Sequence, residues 1–290
     1  MVMTHHARLN LIMAVTITSL MVFLYFRPQS QNNPEYPIAD RPAGMVQSVR
    51  IVKPQQEIAL KRLNDHWYLT EPLHAWADDE KIAKILEILQ AKSQQRFSQT
   101  GLERFGLERP NTLMDIDNLR LGFGGFAPTT NQQYVATGDH VYLIAPRYGL
   151  ALPGSVNDLI NSKLLAPDEI PVKFELPHFT AEFQDGNWRV TLQQDGKPVT
   201  ADALADWIQR WQSARAAELI LAPQLKADFV ATGLLKISLQ NGRQISLKIW
   251  QNGTSTILLR MSEGIGYQFP LDTSRLLLDP STLAHTQTAN

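Results

Sequence analysis

The stretch Asn64-Asp65-His66-Trp67 places a tryptophan directly after a polar turn, and the stretch Asp185-Gly186-Asn187-Trp188 repeats that arrangement farther along the chain. A segment with the helical i, i+3, i+4, i+7 spacing of apolar residues follows each stretch at a nearly constant offset. These apolar residues are Ile82, Ile85, Leu86 and Leu89 in the first segment and Leu204, Trp207, Ile208 and Trp211 in the second. Such self-similarity predicts two tandem copies of one small module.

Each predicted copy contains a β-hairpin, a helix and an antiparallel meander of strands. The first copy covers residues 45–169 and the second covers residues 170–283. Asp78 and Thr200 stand at matching positions before the two helices, where each is a favourable N-cap residue. Runs of strands separated by single helices indicate an α+β fold with antiparallel sheets. We expect the repeated tryptophans to fill equivalent cores between sheet and helix.

An uncharged apolar run, Leu9–Phe26, lies near the N-terminus. Its 18 residues reach about 27 Å as a helix, just enough to cross the hydrocarbon core of a bilayer. A cleaved signal peptide is the alternative, but the following residues, Leu24-Tyr25-Phe26-Arg27-Pro28, offer no small-x-small cleavage motif. We therefore predict a single-pass signal anchor in a bacterial inner membrane, with the tail 1–8 in the cytoplasm and the bulk of the chain in the periplasm.

The segments flanking the predicted modules lack apolar periodicity. Residues 27–44 read RPQSQNNPEYPIADRPAG and are rich in Pro, Gln and Asn, which is typical of a flexible tether. Residues 284–290 are predicted to form a disordered C-terminus.

The overall composition excludes several kinds of partner and site. The chain has 290 residues, 44% of them hydrophobic, which is enough for two domains with their own cores. Its 27 basic and 28 acidic residues leave a net charge of −1, so there is no electrostatic basis for binding nucleic acid. The absence of cysteine removes disulfides, cysteine-ligated zinc and thiol nucleophiles.

No motif in the sequence indicates catalysis. The seven histidines include no pair with the spacing of a helical metal site. The cluster Gly122-Phe123-Gly124-Gly125 is followed by a loop and another strand rather than by a helix, so we expect a hairpin loop and not a dinucleotide site. The acidic run Asp78-Asp79-Glu80 is explained by helix capping and the helix dipole. We predict no catalytic, metal or cofactor-binding residue, no cofactor and no enzymatic activity.

Several motifs resemble a bacterial family known as domain of unknown function 4340. They are Trp67-Tyr68-Leu69-x-x-Pro72, Ala77-Asp78 opening a helix, Phe105-Gly106-Leu107-Glu108-Arg109-Pro110, Gln133-Tyr134-Val135 and Val141-Tyr142-Leu143-Ile144. The second copy has Ala231-Thr232-Gly233-Leu234 without the proline, so it is similar only more weakly. The resemblance implies a single membrane anchor, an extracytoplasmic α+β region and an auxiliary role beside ABC transporters of the gliding-motility type. It carries no catalytic residues.

Three functions are compatible with these features. The leading hypothesis is a membrane-anchored periplasmic interaction module that is an accessory subunit of an ABC-type transporter or another envelope complex. The alternative is a binding protein for a small molecule, lipid or glycan, which would use the cleft between the copies near residues 167–177. The third is an envelope hydrolase with an unfamiliar site.

Overall fold

The computed structural model describes residues 5–26, 34–192 and 199–279 of the chain. The predicted disordered terminus 284–290 lies outside the described residues, as do residues 1–4 of the predicted tail and residues 27–33 of the predicted tether.

A single apolar helix, α1 (His5–Phe26), begins the described part of the chain. The window Leu9–Phe26 has a mean hydropathy of 2.0, and none of it is buried against the rest of the protein. The hydroxyls of Thr16 and Thr18 donate to the carbonyl oxygens of Ile12 (2.6 Å) and Ala14 (2.8 Å) within the helix, which satisfies these donors without water. The helix is therefore long and apolar enough to span a membrane, consistent with the predicted single-pass anchor.

The chain from residue 34 to residue 169 forms one large sheet and a small two-stranded pairing. The elements in order are β1 (Tyr36–Pro37), β2 (Ser48–Lys53), β3 (Gln56–Leu63), β4 (His66–Glu71), β5 (Ala75–Trp76), α2 (Asp79–Leu86), β6 (Lys92–Ser93), β7 (Arg96–Ser98), β8 (Thr112–Ile116), β9 (Leu119–Phe126), β10 (Gln133–Thr137), β11 (His140–Ile144) and α3 (Arg147–Leu150). Strand β1 pairs with β6, and the other strands form a nine-stranded sheet in the order β5-β4-β3-β2-β8-β9-β10-β11-β7.

The chain from residue 170 to residue 279 forms a second sheet. Its elements in order are β12 (Pro171–Glu175), β13 (Phe179–Gln184), β14 (Asn187–Leu192), α4 (Ala201–Ser213), β15 (Glu218–Leu221), β16 (Val230–Leu239), β17 (Gln244–Gln251), β18 (Ser255–Arg260), β19 (Ile265–Pro270) and α5 (Leu271–Leu278). The eight strands are ordered β14-β13-β12-β16-β17-β18-β19-β15. Neighbouring strands pair antiparallel in both sheets. The predicted mixture of helices and antiparallel sheets behind an apolar N-terminal helix is confirmed.

The two amphipathic helices begin at the predicted residues. The carboxylate of Asp78 accepts from the backbone N–H groups of Glu80 (3.1 Å) and Lys81 (3.3 Å) at the start of α2, and the hydroxyl of Thr200 accepts from Ala203 N (3.3 Å) at the start of α4. Both are N-caps that satisfy donors left unpaired by the helix. Helix α2 is shorter than predicted, because residues 87–90 continue as a 3₁₀ turn.

Two tryptophans of α4 lie at the centre of the core that packs on the second sheet. Trp207 and Trp211 are fully buried, and both indole N–H groups donate to the carbonyl oxygen of Leu277 at 2.9 Å. The ring of Phe174 in β12 lies 4.9 Å and 5.2 Å from theirs. The same apolar cluster continues into the first sheet, where it includes Trp67. Burying these two large rings with their polar atoms paired fixes α4 on the second sheet.

One local expectation was wrong. The glycine cluster 122–125 lies inside β9 rather than in a hairpin loop. A Cβ added at Gly124 would overlap the carbonyl oxygen of Phe105, so glycine is needed there for close approach of two chain segments. Farther along the chain, a 3₁₀ turn at Val156–Leu159 ends where Ile160 forms a β-bridge with Ala77.

The second part of the predicted tether, residues 34–44, contacts the folded region. Strand β1 pairs with β6, and Ile38 is buried and donates its N–H to Ala91 O at 3.0 Å. Arg41 Nη1 lies 2.6 Å from Asp117 Oδ2, in the turn between β8 and β9. Residues 34–44 are therefore part of the folded region and not of a free tether.

Candidate functional site

A cleft of about 680 Å³ lies between the two sheets, and we call it the junction cleft. Its first wall comes from β4 and β5, and its second wall from the ends of β16, β17 and β18. Asp168 and Glu169, from the segment that connects the two halves, lie between the walls. The cleft therefore lies at the junction where the sequence predicted a boundary between modules.

Two aromatic side chains stand next to each other on the first wall. Tyr68 of β4 and Trp76 of β5 are directly opposite in the antiparallel register, so their side chains project from the same face of the sheet. His74, from the turn between these strands, also lines the cleft. This wall continues into the β3–β4 hairpin, whose polar turn directly precedes Trp67.

Asp168 connects the two walls. Its carboxylate accepts from the hydroxyl of Tyr68 (3.3 Å) and from Arg243 Nη2 (3.1 Å). Burial, reinforced by the charge of Asp168, raises the pKa of Tyr68 to about 12, so the phenol remains a hydrogen-bond donor at neutral pH. The Arg243–Asp168 pair is half-exposed, and such pairs stabilise a fold only weakly.

A buried charge cluster forms the inner part of the cleft. Arg260 Nη1 donates to Glu169 Oε2 (2.9 Å) and to Leu164 O (2.9 Å), while Nη2 lies 2.8 Å from Glu169 Oε1 and 2.7 Å from Glu263 Oε1. Glu169 also accepts from Ala166 N (2.9 Å). These hydrogen bonds of Arg260 thus link the segment that connects the two sheets to the end of β18.

Burial has opposite effects on the two kinds of charge in this cluster. It raises the pKa of Glu263 to about 7, and the neighbouring Arg260 guanidinium offsets only part of that effect. Burial would lower the pKa of Arg260, but the hydrogen bonds to Glu169 and the charge of Glu263 outweigh it and raise the pKa. Arg260 is therefore always charged, whereas Glu263 exchanges a proton near neutral pH.

Two residues of the cleft, Trp76 and Arg260, each have a buried N–H without a partner in the described part of the chain. The atoms are Trp76 Nε1 and Arg260 Nε. A buried donor without a partner loses the hydrogen bond that it made to water in the unfolded chain. Both atoms are closed to solvent, so they are not themselves exposed to a molecule in the cleft.

The polar residues noted in the sequence serve the fold in most cases. His66 Nδ1 lies 2.7 Å from Asp79 Oδ2, and the other oxygen of Asp79 accepts from Trp67 N (2.8 Å). This hydrogen bonding, with the cap made by Asp78, accounts for two members of the acidic run. Within residues 5–26, 34–192 and 199–279, no three His, Asp or Glu side chains are grouped so that they could hold a metal ion.

Sequence reasoning did not identify Arg260, Glu169 or Glu263. One signal for Arg260 was available. Strand residues two apart point to the same face, so Arg260 shares the face of Leu258, which is fully buried. An arginine at such a position predicts a buried acidic partner, although the sequence does not say which acid supplies it.

Comparison with known proteins gives one match. A family described as domain of unknown function (DUF4340) matches residues 67–212, which is half of the chain. The matched region runs from β4 through the connecting segment to α4, so it includes Tyr68, Trp76 and Glu169 but not Arg260. No curated protein and no solved structure matches the chain.

Proposed function

Since this chain belongs to the DUF4340 family, whose description assigns no activity, we propose a function from its own architecture. The protein is a membrane-anchored, non-catalytic interaction module of the periplasm, and it acts as an accessory subunit of an ABC-type transporter or another envelope complex. The supporting observation is the apolar helix Leu9–Phe26, which has no buried residue and precedes two large sheets. An exposed apolar surface of this size needs a non-aqueous environment.

The proposed orientation is that of a signal anchor, with the residues before Leu9 in the cytoplasm and the region after Phe26 exported. Residues 34–44 already contact the folded region. The folded region would therefore begin close to the outer surface of the inner membrane.

The two sheets support the proposal that the module is duplicated. In each, three hairpin strands come first (β4-β3-β2 and β14-β13-β12), a four-stranded meander follows (β8 to β11 and β16 to β19), and the strand after the helix closes the edge (β7 and β15). Trp67 and Trp188 are both the second residue of the third hairpin strand. Repeated modules commonly present extended binding surfaces, and a duplicated module without a catalytic motif fits an adaptor.

The transporter component of the proposal comes from the family resemblance. The resemblance implies an auxiliary role beside ABC transporter components for some members of the family, and this sequence has no phosphate-binding loop motif. The ATPase would therefore be a separate subunit, and this protein would contribute the extracytoplasmic part.

Crosslinking mass spectrometry on native membranes tests this proposal. A lysine-reactive crosslinker should give reproducible links from residues 45–290 to transporter or other envelope subunits, and these links should identify which sheet faces the partner. Links within the chain serve as the control for reagent access. Intrachain links without any link to another protein, together with a pull-down that recovers only this chain, would contradict an accessory role.

A second function, ligand binding, is favoured by the junction cleft. Its volume of about 680 Å³ lies within the usual range for small-molecule sites, and such sites favour junctions between domains. Both charged groups and the neighbouring rings of Tyr68 and Trp76 line it. A thermal-shift screen of the full-length protein without a hit in any compound class would count against this second function.

A further inference from the structure

We propose that one edge of the first sheet docks on the phospholipid headgroups of the membrane in which α1 is anchored. This surface, which we call the arginine edge, consists of β7 and the side chains of Arg96, Arg104 and Arg147. The inference rests on the membrane anchor of the proposed function and adds the surface through which the folded region meets the lipid.

Each arginine of this edge stacks on an aromatic ring. Measured from Cζ to the ring centroid, the pairs are Arg96 on Tyr36 (4.6 Å), Arg104 on Phe105 (4.4 Å) and Arg147 on Tyr148 (4.8 Å). Arg147 also donates from Nη2 to the hydroxyl of Tyr148 at 2.8 Å. Stacking occupies one flat face of a guanidinium and leaves the N–H groups at its rim available to acceptors. The three guanidiniums are therefore oriented but not saturated.

The three arginines come from elements that meet at the end of the sheet. Among the described strands, β7 is the last of the sheet and pairs with β11 alone. Arg96 lies in β7 itself. The turn that carries Arg104 packs against this strand, since the rings of Phe97 and Phe105 are 5.5 Å apart. Arg147 begins α3 directly after β11, so it lies at the end of the strand next to β7.

These guanidiniums have no acidic partner in the described part of the chain. All three side chains are exposed, and no described carboxylate lies within the 4.0 Å of an ion pair, whereas many other described arginines are ion-paired. Glu35 is bound by Lys92 Nζ at 2.8 Å, and Glu87 and Glu103 on the neighbouring turns pair with none of the three. A free guanidinium matches the oxygens of a phosphate group through two parallel hydrogen bonds.

The bilayer lies within reach of this edge. Phe26 ends the apolar helix and Pro34 begins the described folded region, and the eight peptide bonds between them span at most about 29 Å. Two residues after Pro34, Tyr36 already stacks on Arg96. The arginine edge therefore adjoins the point where the chain arrives from the membrane. Tyrosine is common at the headgroup level of membranes, and basic side chains bind lipid headgroups there.

A phospholipid surface matches this edge better than other acidic partners do. The short connection keeps lipid phosphates beside the edge at all times, whereas a soluble anion or a protein carboxylate has to be recruited from solution. Three guanidiniums on one edge contact several headgroups at once, so contacts that are weak singly add up to stable docking.

Energy transfer with the full-length protein in lipid nanodiscs tests the inference. The chain contains no cysteine, so Ser98→Cys places a single fluorophore on the exposed side of β7, and Thr191→Cys places one on β14, the outermost strand of the second sheet. Rhodamine on a trace of the lipid headgroups is the acceptor. We expect more transfer from Ser98→Cys than from Thr191→Cys in phosphatidylglycerol nanodiscs. In digalactosyldiacylglycerol nanodiscs, whose lipids carry no phosphate, this excess should be lost.

Two triple variants show whether the arginines cause the contact. The edge variant removes the three stacked guanidiniums by Arg96→Gln, Arg104→Gln and Arg147→Gln. The matched control removes three exposed arginines of the second half by Arg189→Gln, Arg210→Gln and Arg275→Gln. Both change the net charge equally, but only the edge variant should lose the excess transfer from Ser98→Cys. Thermal unfolding of both variants confirms that they fold, and the change of lipid tests the unmodified edge independently of them.

Each result separates the possible failures. Equal transfer from the two labelled positions would overturn the inference, as would an excess that persists in the edge variant or in the galactolipid. An equal loss in both triple variants would assign the contact to net charge and overturn the role of these arginines. Failure of the protein to enter nanodiscs would contradict the membrane anchor itself, and the docking with it. The accessory role is tested separately by crosslinking.

Discussion

Arg260 and Glu169 lie 91 residues apart in the sequence and form a buried ion pair through two hydrogen bonds, of 2.9 Å and 2.8 Å. Their side chains are 8% and 6% exposed. Glu169 belongs to the segment that connects the two sheets, and Arg260 ends a strand of the second sheet. The pair therefore fixes the connecting segment where the junction cleft forms.

Replacing Glu169 by glutamine should destabilise the protein. The Glu169→Gln substitution keeps the shape of the side chain but leaves the buried Arg260 with Glu263 as its only acidic partner. We expect the free energy of unfolding to fall by up to about 3 kcal/mol, since removing one partner of a buried ion pair is strongly destabilising and Glu263 offsets only part of the loss. Urea unfolding of the full-length protein, followed by tryptophan fluorescence, measures the change.

Asp168→Asn is the matched control for this prediction. Asp168 is the residue immediately before Glu169, and it also pairs with an arginine, but its side chain is 51% exposed. Exposed pairs contribute less than about 1 kcal/mol, so this variant should remain close to the wild type. Equal effects of the two substitutions would show that burial does not determine the strength of the Arg260 pair.

Local features of the fold could be predicted from the sequence, whereas the site could not. The caps Asp78 and Thr200 are local, since each bonds within its own first helical turn. The core position of Trp207 and Trp211 followed from helical spacing, although their shared acceptor, Leu277 O, lies far along the chain. The Arg260–Glu169 pair and the cleft depend entirely on which distant strands become neighbours, and no local pattern specifies that.

The carboxyl of Glu263 should make stability depend on pH. Burial raises its pKa from 4.5 to about 7, so between these values the folded state holds a proton that the unfolded state has lost. Stability from this group is complete below pH 4.5 and is lost as the pH rises through 7, by up to about 3 kcal/mol. Urea unfolding at several pH values measures this decline.

The Glu263→Gln variant isolates this contribution from other titrating groups. Glutamine mimics the protonated carboxyl, so the variant should match the wild type in acid and should be the more stable protein above pH 7. The difference between the two unfolding free energies, plotted against pH, should reach a plateau above pH 7. A wild type that is the more stable above pH 7 would mean that the ion pair with Arg260 outweighs the cost of burial.

Gly124 should not tolerate a side chain. A Cβ at this position would overlap Phe105 O and lie 2.7 Å from Leu107 Cγ, so Gly124→Ala must displace backbone and should cost about 1–3 kcal/mol. Gly125→Ala is the control, because its Cβ would lie 3.6 Å from Phe105 O, an ordinary contact. Thermal unfolding of both variants gives the comparison, and equal midpoints would refute the predicted overlap.

The glycine cluster also shows why local reasoning failed in β9. Four residues rich in glycine are typical of a loop, and nothing in their immediate neighbours contradicts that interpretation. The need for glycine comes from the 3₁₀ turn Leu102–Phe105, which packs against the strand. Close approach of a second segment is a tertiary property, so it became visible only in the structure.

The orientation of the anchor can be tested with single cysteines, because the chain contains none. Thr129→Cys places a thiol on an exposed loop between β9 and β10, and Thr4→Cys places one ahead of the apolar helix. A membrane-impermeant maleimide added to intact spheroplasts should label Thr129→Cys only, and both variants should react after lysis. Recovery of the labelled Thr4→Cys protein at full length after lysis would also show that the apolar helix has not been cleaved off. Labelling of Thr4→Cys in intact spheroplasts, with Thr129→Cys protected, would reverse the proposed orientation and place the junction cleft in the cytoplasm.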